Sequence, residues 1–126
     1  MMNYQEKYDT YAALMAEEGP LSKLEGLIVL VHALNRSNQL VCISEDEECD
    51  FPRMWRTPSD DAYSFTYLNP QNKALLNLTA RQKGPRLEII MGEVGSKQSY
   101  RVLLELEGTL QANAKQYDFT IQEYLK

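Results

Sequence analysis

Phe51-Pro52-Arg53-Met54-Trp55, followed after a short polar spacer by Tyr63-Ser64-Phe65-Thr66-Tyr67 and then Asn69-Pro70, is the stretch that decides the fold. The only tryptophan of the chain stands at the end of a proline-kinked apolar run. Immediately beyond it an aromatic residue recurs at every second position. Period two is the period of a strand, so Tyr63, Phe65 and Tyr67 share one face of it. Burying a tryptophan removes roughly 150–250 Å² from water. At about 25 cal/mol per Å² that contributes up to roughly 5 kcal/mol. Phe51, Pro52, Trp55, Tyr63, Phe65 and Tyr67 are therefore expected to be structural anchors.

Working outward, Asn69-Pro70-Gln71-Asn72 reads as a turn into a second strand, in which Leu76 and Leu78 alternate with polar residues. Gly84-Pro85 separates that strand from Leu87-Glu88-Ile89-Ile90-Met91, and Gly95-Ser96-Lys97-Gln98 leads into a strand over residues 100–106. In this last strand Val102, Leu104 and Leu106 lie on one face, with Arg101, Leu103 and Glu105 on the other. Gln39-Leu40-Val41-Cys42-Ile43 reads as a short earlier strand. Consecutive hairpin-like connections indicate an antiparallel meander and disfavour a doubly wound parallel sheet.

Ahead of the strands, Tyr4, Tyr8, Tyr11 and Met15 fall on one helical stripe over residues 3–17, and Gly19-Pro20 stops the helix. Ser22 with Glu25 three residues on has the form of a capping box, which opens a second helix over residues 23–36. Leu24, Leu27, Ile28, Leu30, Val31 and Leu34 cover more than one face of that helix, so it should be largely buried. The run Leu27-Ile28-Val29-Leu30-Val31 also suits a central strand; length and the cap favour the helix. After Gly108 the pattern weakens: residues 111–116 are polar, and residues 117–126 suit either a strand or a short helix. The fold class is α+β, with two N-terminal helices packed on an antiparallel meander sheet and a possible short C-terminal helix. The chain reads as a single domain over residues 1–126. Residues 1–20 form its N-terminal helix, 21–110 the main helix and sheet, and 111–126 a segment without assigned structure.

Composition narrows the function. With 126 residues, 44% of them hydrophobic and 25% charged, the chain is long enough for one globular core. A net charge of −5 with scattered Lys and Arg argues against nucleic acid, whose binding needs clustered cations. The apolar run over residues 26–34 is too short to span a bilayer. The polar N-terminus lacks the pattern of a signal peptide. A cytoplasmic or nuclear location follows, with Cys42 and Cys49 as free thiols.

No reactive constellation emerges. His32 is the only histidine and lies in the apolar helix, where a core role outweighs a catalytic one. Cys42 and Cys49 lack zinc-site spacing. Glu45-Asp46-Glu47-Glu48-Cys49-Asp50 lacks the order of a calcium loop and reads as a solvated acidic loop. Asp60-Asp61 suits a turn rather than an acid–base pair. Neither the sequon at Asn77 nor the glycines form a functional motif. Catalytic, cofactor and metal residues are expected to be none. A Cys42–His32 nucleophilic pair would require the strand of one to lie against the helix of the other.

The helix Glu25-Gly26-Leu27-Ile28-Val29-Leu30-Val31-His32-Ala33-Leu34, the hydrophobic-Pro-x-x-Trp run at Phe51–Trp55 and the strand Tyr63-Ser64-Phe65-Thr66-Tyr67 together resemble the FP domain. Gly95-Ser96-Lys97-Gln98 with the strand that follows is also similar. The FP domain occurs in the thirty-one-kilodalton proteasome inhibitor and in an F-box protein that binds it. The resemblance covers roughly residues 8–110. It implies a non-enzymatic dimerisation module, linked to proteasome or ubiquitin-ligase regulation, with no cofactor. The implied partners are proteins: a second copy or a relative in a homo- or heterodimer, the proteasome, or an F-box protein. Where that inhibitor ends in a hydrophobic-Tyr-any motif, this chain has Tyr124-Leu125-Lys126, with Tyr one place too early. Direct proteasome inhibition is therefore not expected, and the sequence reads either as an isolated domain or as a short relative that keeps only the pairing function. The alternative is a small acidic chaperone-like or adaptor protein unrelated to the proteasome. Leu103, with Arg101 and Glu105 beside it, is the candidate interface, since a meander leaves a face or an edge for a partner. If helices cover both faces, Leu103 is core instead.

Overall fold

A computed structural model describes residues 4–15, 22–43, 56–57 and 62–126. Their order is α1 (Tyr4–Met15), α2 (Lys23–Ser37), β1 (Val41–Cys42), β2 (Arg56–Thr57), β3 (Ala62–Asn69), β4 (Ala74–Lys83), β5 (Arg86–Glu93), β6 (Ser99–Glu105) and α3 (Leu110–Leu125). The class is α+β. Strands run β1-β3-β4-β5-β6 across one antiparallel sheet, with β2 paired to the start of β3.

The segment 27–31 is helical, and its caps show why. Ser22 Oγ accepts from Glu25 N at 3.1 Å, while Ser22 N donates to Glu25 Oε1 at 3.1 Å, so the N-terminal donors are satisfied reciprocally. At the other end Gln39 adopts φ 75°. Gln39 N then donates to Arg36 O at 3.0 Å and Leu40 N to Asn35 O at 3.1 Å. This is a Schellman closure with glutamine where glycine is usual. Every residue from Glu25 to Asn35 is buried. A helix apolar all round must be covered on all sides, and α2 has the sheet beneath it and the other two helices around it.

Two arrangements differ from the sequence expectation. The C-terminal segment is not a short or undefined element but a sixteen-residue helix, α3, capped by Thr109 Oγ1 accepting from Ala112 N at 3.1 Å. Ala114, Tyr117 and Ile121, at spacings of three and four, are each fully buried against the core. Secondly, α1 does not rest on the sheet as one of a pair. Its main contacts are with α2 and α3. Tyr4 Oη donates to Asp118 Oδ2 at 2.9 Å, and Tyr8 lies against Gly26, where a Cβ would sit 2.8 Å from its hydroxyl. Sequence periodicity marks α1 as one-sided but does not name what it covers.

One face of the sheet builds the core. Tyr63, Phe65, Tyr67, Leu76, Leu78, Ala80, Leu87, Ile89, Met91, Val102 and Leu104 all point to it and are buried. The turns between strands follow their residues. Gly84 (φ 60°) opens the two-residue link from β4 to β5, and Asn69 Oδ1 and Asn72 Oδ1 each accept from a backbone N–H two residues on.

Candidate interaction surface

Register fixes the composition of the opposite face. Ser64, Thr79, Ile90 and Arg101 form one row across β3 to β6, and Arg81, Glu88 and Leu103 form the next. Toward the other end Val41 pairs with Leu68 and Leu68 with Leu75, while Ile43 N donates to Thr66 O at 3.0 Å. Four apolar side chains of this face are exposed: Ile90 (40%), Leu75 (41%), Val41 (50%) and Ile43 (52%). Leu68 and Leu103 are half-buried. A polar row with Thr66 Oγ1 donating to Asn77 Oδ1 at 3.1 Å runs between them, so the side away from α2 and α3 carries two apolar groups, one around Ile90 and Leu103 and one around Leu68 and Leu75, that a partner can dehydrate.

The three interface candidates occupy β6 on this face. Arg101 and Glu105 are held in ion pairs across the β5–β6 ladder. Arg101 Nε lies 2.7 Å from Glu88 Oε2, and Arg86 Nε lies 2.8 Å from Glu105 Oε1. The first ties down a carboxylate with side-chain exposure of 10%; the second joins two side chains each 51% exposed and is worth little by itself. The pairs flank Leu103 and fix the polar groups around it. Sequence reading did not single out Ile90, Leu75, Val41 and Ile43. Ile90 sits in the unbroken run Ile89-Ile90-Met91, where period two is blurred, and only the ladder register shows which residue faces outward.

Of the six anchors, Tyr63, Phe65 and Tyr67 lie on the covered face with exposures of 5%, 2% and 1%. Phe51, Pro52 and Trp55 lie outside the described residues. So does Cys49, while Cys42 is buried on β1.

Beneath the sheet's covered face is a polar network that sequence reasoning missed. His32 Nδ1 lies 2.6 Å from Tyr67 Oη and its ring stacks on Phe65 at 5.8 Å between centroids. One turn later Asn35 Oδ1 accepts from Tyr117 Oη at 2.6 Å, and Tyr117 Oη lies 2.8 Å from Tyr100 Oη. Tyr100 also meets the ring of Tyr124 at 5.0 Å. Burial pushes the Tyr100 and Tyr117 hydroxyls well above the ordinary value of 10.0, with the neighbouring hydroxyl adding to the shift at Tyr100. With the Tyr117 proton given to Asn35, the hydrogen bond that Tyr100 donates pulls Tyr117 partly back. These groups stay neutral at any physiological pH. They lock α2, α3, β3 and β6 into one arrangement, and with the histidine engaged by Tyr67 they perform a structural task.

Among the described residues no three His, Cys, Asp or Glu side chains converge to hold a metal ion, and no helix is long and apolar enough to cross a membrane.

No curated protein and no solved structure matched the chain. A family model did: PI31 proteasome regulator N-terminal matches residues 18–123. That span takes in α2, all six strands and nearly all of α3, the elements that form the sheet's two faces. The chain therefore belongs to the PI31 proteasome regulator N-terminal family, the FP domain.

Proposed function

We propose that this chain is a non-enzymatic protein-interaction module, with residues 1–126 acting as a single domain that pairs with a second copy or with another FP domain. The observation that carries the reading is the outer sheet face, where Ile90, Leu75, Val41 and Ile43 are exposed beside half-buried Leu68 and Leu103. On the other face the same sheet buries Tyr63, Phe65, Tyr67, Leu76, Leu78, Leu87, Ile89, Met91, Val102 and Leu104. A two-layer domain gains by covering its second face, and pairing is the simplest way to do so. Leu103, framed by Arg101 and Glu105 with their ion pairs, supplies an apolar contact with a charged rim. Family membership directs the expected partners to proteasome or ubiquitin-ligase regulation, including an F-box protein that carries the same domain.

Binding of the purified chain to purified proteasome and to an FP-containing F-box protein, each immobilised on a biosensor, tests this. Saturable binding to either, weakened at least about tenfold by Ile90→Lys as burying one unpaired charge requires, supports the proposal. No binding to either, in a chain that also fails to pair with itself, removes it.

A further inference from the structure

Strand β6 ends the sheet, so its far edge should offer an unpaired row of backbone groups. The β5–β6 register together with the bonds to α3 shows which groups these are. Glu105 N donates to Asn113 Oδ1 at 3.1 Å, and Asn113 Nδ2 donates to Glu105 O at 2.9 Å. Gln116 Nε2 donates to Leu103 O at 3.1 Å. Residues 103 and 105 thus turn their backbone groups away from β5, and by strand alternation residues 99 and 101 do the same. The single Asn113 amide occupies both the donor and the acceptor of Glu105, as a paired residue on a neighbouring strand would. Asn113 is 3% exposed, and Gly108 provides the close approach, since a Cβ there would lie 3.0 Å from Glu105 Cβ and 3.3 Å from Asn113 Nδ2.

We propose that Asn113 and Gln116 are sealing residues that close the C-terminal half of the β6 edge to strand addition by a second copy of this chain. What stays open is the edge from Ser99 to the N–H of Leu103. The N–H and C=O of Arg101 are its centre, and they meet no donor or acceptor among the described residues beyond the β5 ladder. From Ser99 to Leu103 the strand rises four residues, about 13 Å. One strand edge of that length buries far less than the roughly 800 Å² per partner of a stable interface, and an antiparallel β6–β6 pair centred on Arg101 would also oppose two guanidinium groups. The seal thus favours pairing through the outer face over side-by-side joining of sheets. The inference deepens the proposed pairing function by setting which surface performs it, but the seal itself holds whether or not the native chain pairs.

Asn113→Ala/Gln116→Ala in the full chain frees the N–H of Glu105 and the carbonyls of Glu105 and Leu103. Sedimentation velocity should then show self-association strengthened at least about tenfold over wild type, as freed edge bonds of about 1 kcal/mol each allow. Adding Arg101→Pro, which removes an N–H pointing away from β5 and is tolerated at an edge, should abolish that gain. Because Arg101 also frames the proposed pairing face, the chain carrying Arg101→Pro alone is the reference, and adding Asn113→Ala/Gln116→Ala to it should strengthen association by less than about twofold. If the native chain is monomeric, the double variant should still associate, which separates this inference from the pairing proposal. A folded double variant that associates no more than wild type overturns the seal, as does added association that Arg101→Pro leaves intact. Should the double variant fail to fold, Gln116→Ala, whose side chain is exposed, carries the test: association rises about threefold if the seal operates, and no rise overturns it.

Discussion

Tyr117→Phe isolates the buried network from the packing around it. The ring stays, so no cavity of ring size opens, and only the hydroxyl that joins Asn35 Oδ1 at 2.6 Å to Tyr100 Oη at 2.8 Å is lost. Two hydrogen bonds of roughly 0.5–1.5 kcal/mol each disappear, and Asn35 Oδ1 is left fully buried without a donor, so the expected loss is about 2–3 kcal/mol. Against a total stability of roughly 5–15 kcal/mol that is a large fraction. Urea unfolding followed by circular dichroism should show the midpoint falling by about 1 M or more with the slope unchanged. Pairing the change with Asn35→Leu removes both polar ends at nearly constant volume, so the double variant should lose clearly less than the sum of the singles. A loss below about 0.5 kcal/mol for Tyr117→Phe, or strict additivity in the double variant, would refute the claim that this network fastens α2 to α3 and β6.

Further outcomes follow from the same structure. Gln39→Gly should stabilise the fold by about 0.5–1 kcal/mol in thermal or urea unfolding, because glycine adopts the left-handed φ of 75° without the penalty glutamine bears. Gly26→Ala should be close to neutral alone, since gained helix propensity is offset by the contact with Tyr8 Oη. In a Tyr8→Phe background the same change should stabilise by about 1 kcal/mol, measured as the difference between the two unfolding midpoints. The contribution of Tyr100 and Tyr117 to stability should be constant below the ordinary tyrosine value of 10.0 and fall above it, because the unfolded chain then releases protons that folded Tyr100 and Tyr117 retain. Two such groups give a slope of roughly 2.7 kcal/mol per pH unit, and tyrosinate absorbance of the folded chain should show two residues that ionise only on unfolding.

Much of this fold can be read from local signals. The capping box at Ser22 and Glu25, the alternation at Tyr63, Phe65 and Tyr67, and the Gly84-Pro85 link each act over a few residues, and each element stands where its signal places it. Helix α3 is less legible. Its buried stripe of Ala114, Tyr117 and Ile121 is interrupted by Asn113, Lys115, Gln116 and Asp118, which read as a polar segment until their long-range partners are known. Asn113 bonds to β6, and Asp118 collects Tyr4 from α1 and Asn38 from the end of α2. The same reason hides the network: Asn35 and Tyr117 are 82 residues apart, and an asparagine inside an apolar helix carries no mark of its partner. On the surface, Leu103 is readable from alternation, whereas Ile90 needs the ladder register.

The most direct test of the pairing surface is sedimentation equilibrium on the wild-type chain and on Ile90→Lys at roughly 10–100 µM, a range matched to interfaces of micromolar affinity. The wild-type chain should fit a reversible monomer–dimer equilibrium, and Ile90→Lys, folded by circular dichroism, should sediment as a monomer. A strictly monomeric wild-type chain that also fails to pair with another FP domain would contradict the account, as would a variant that pairs as tightly as the native chain.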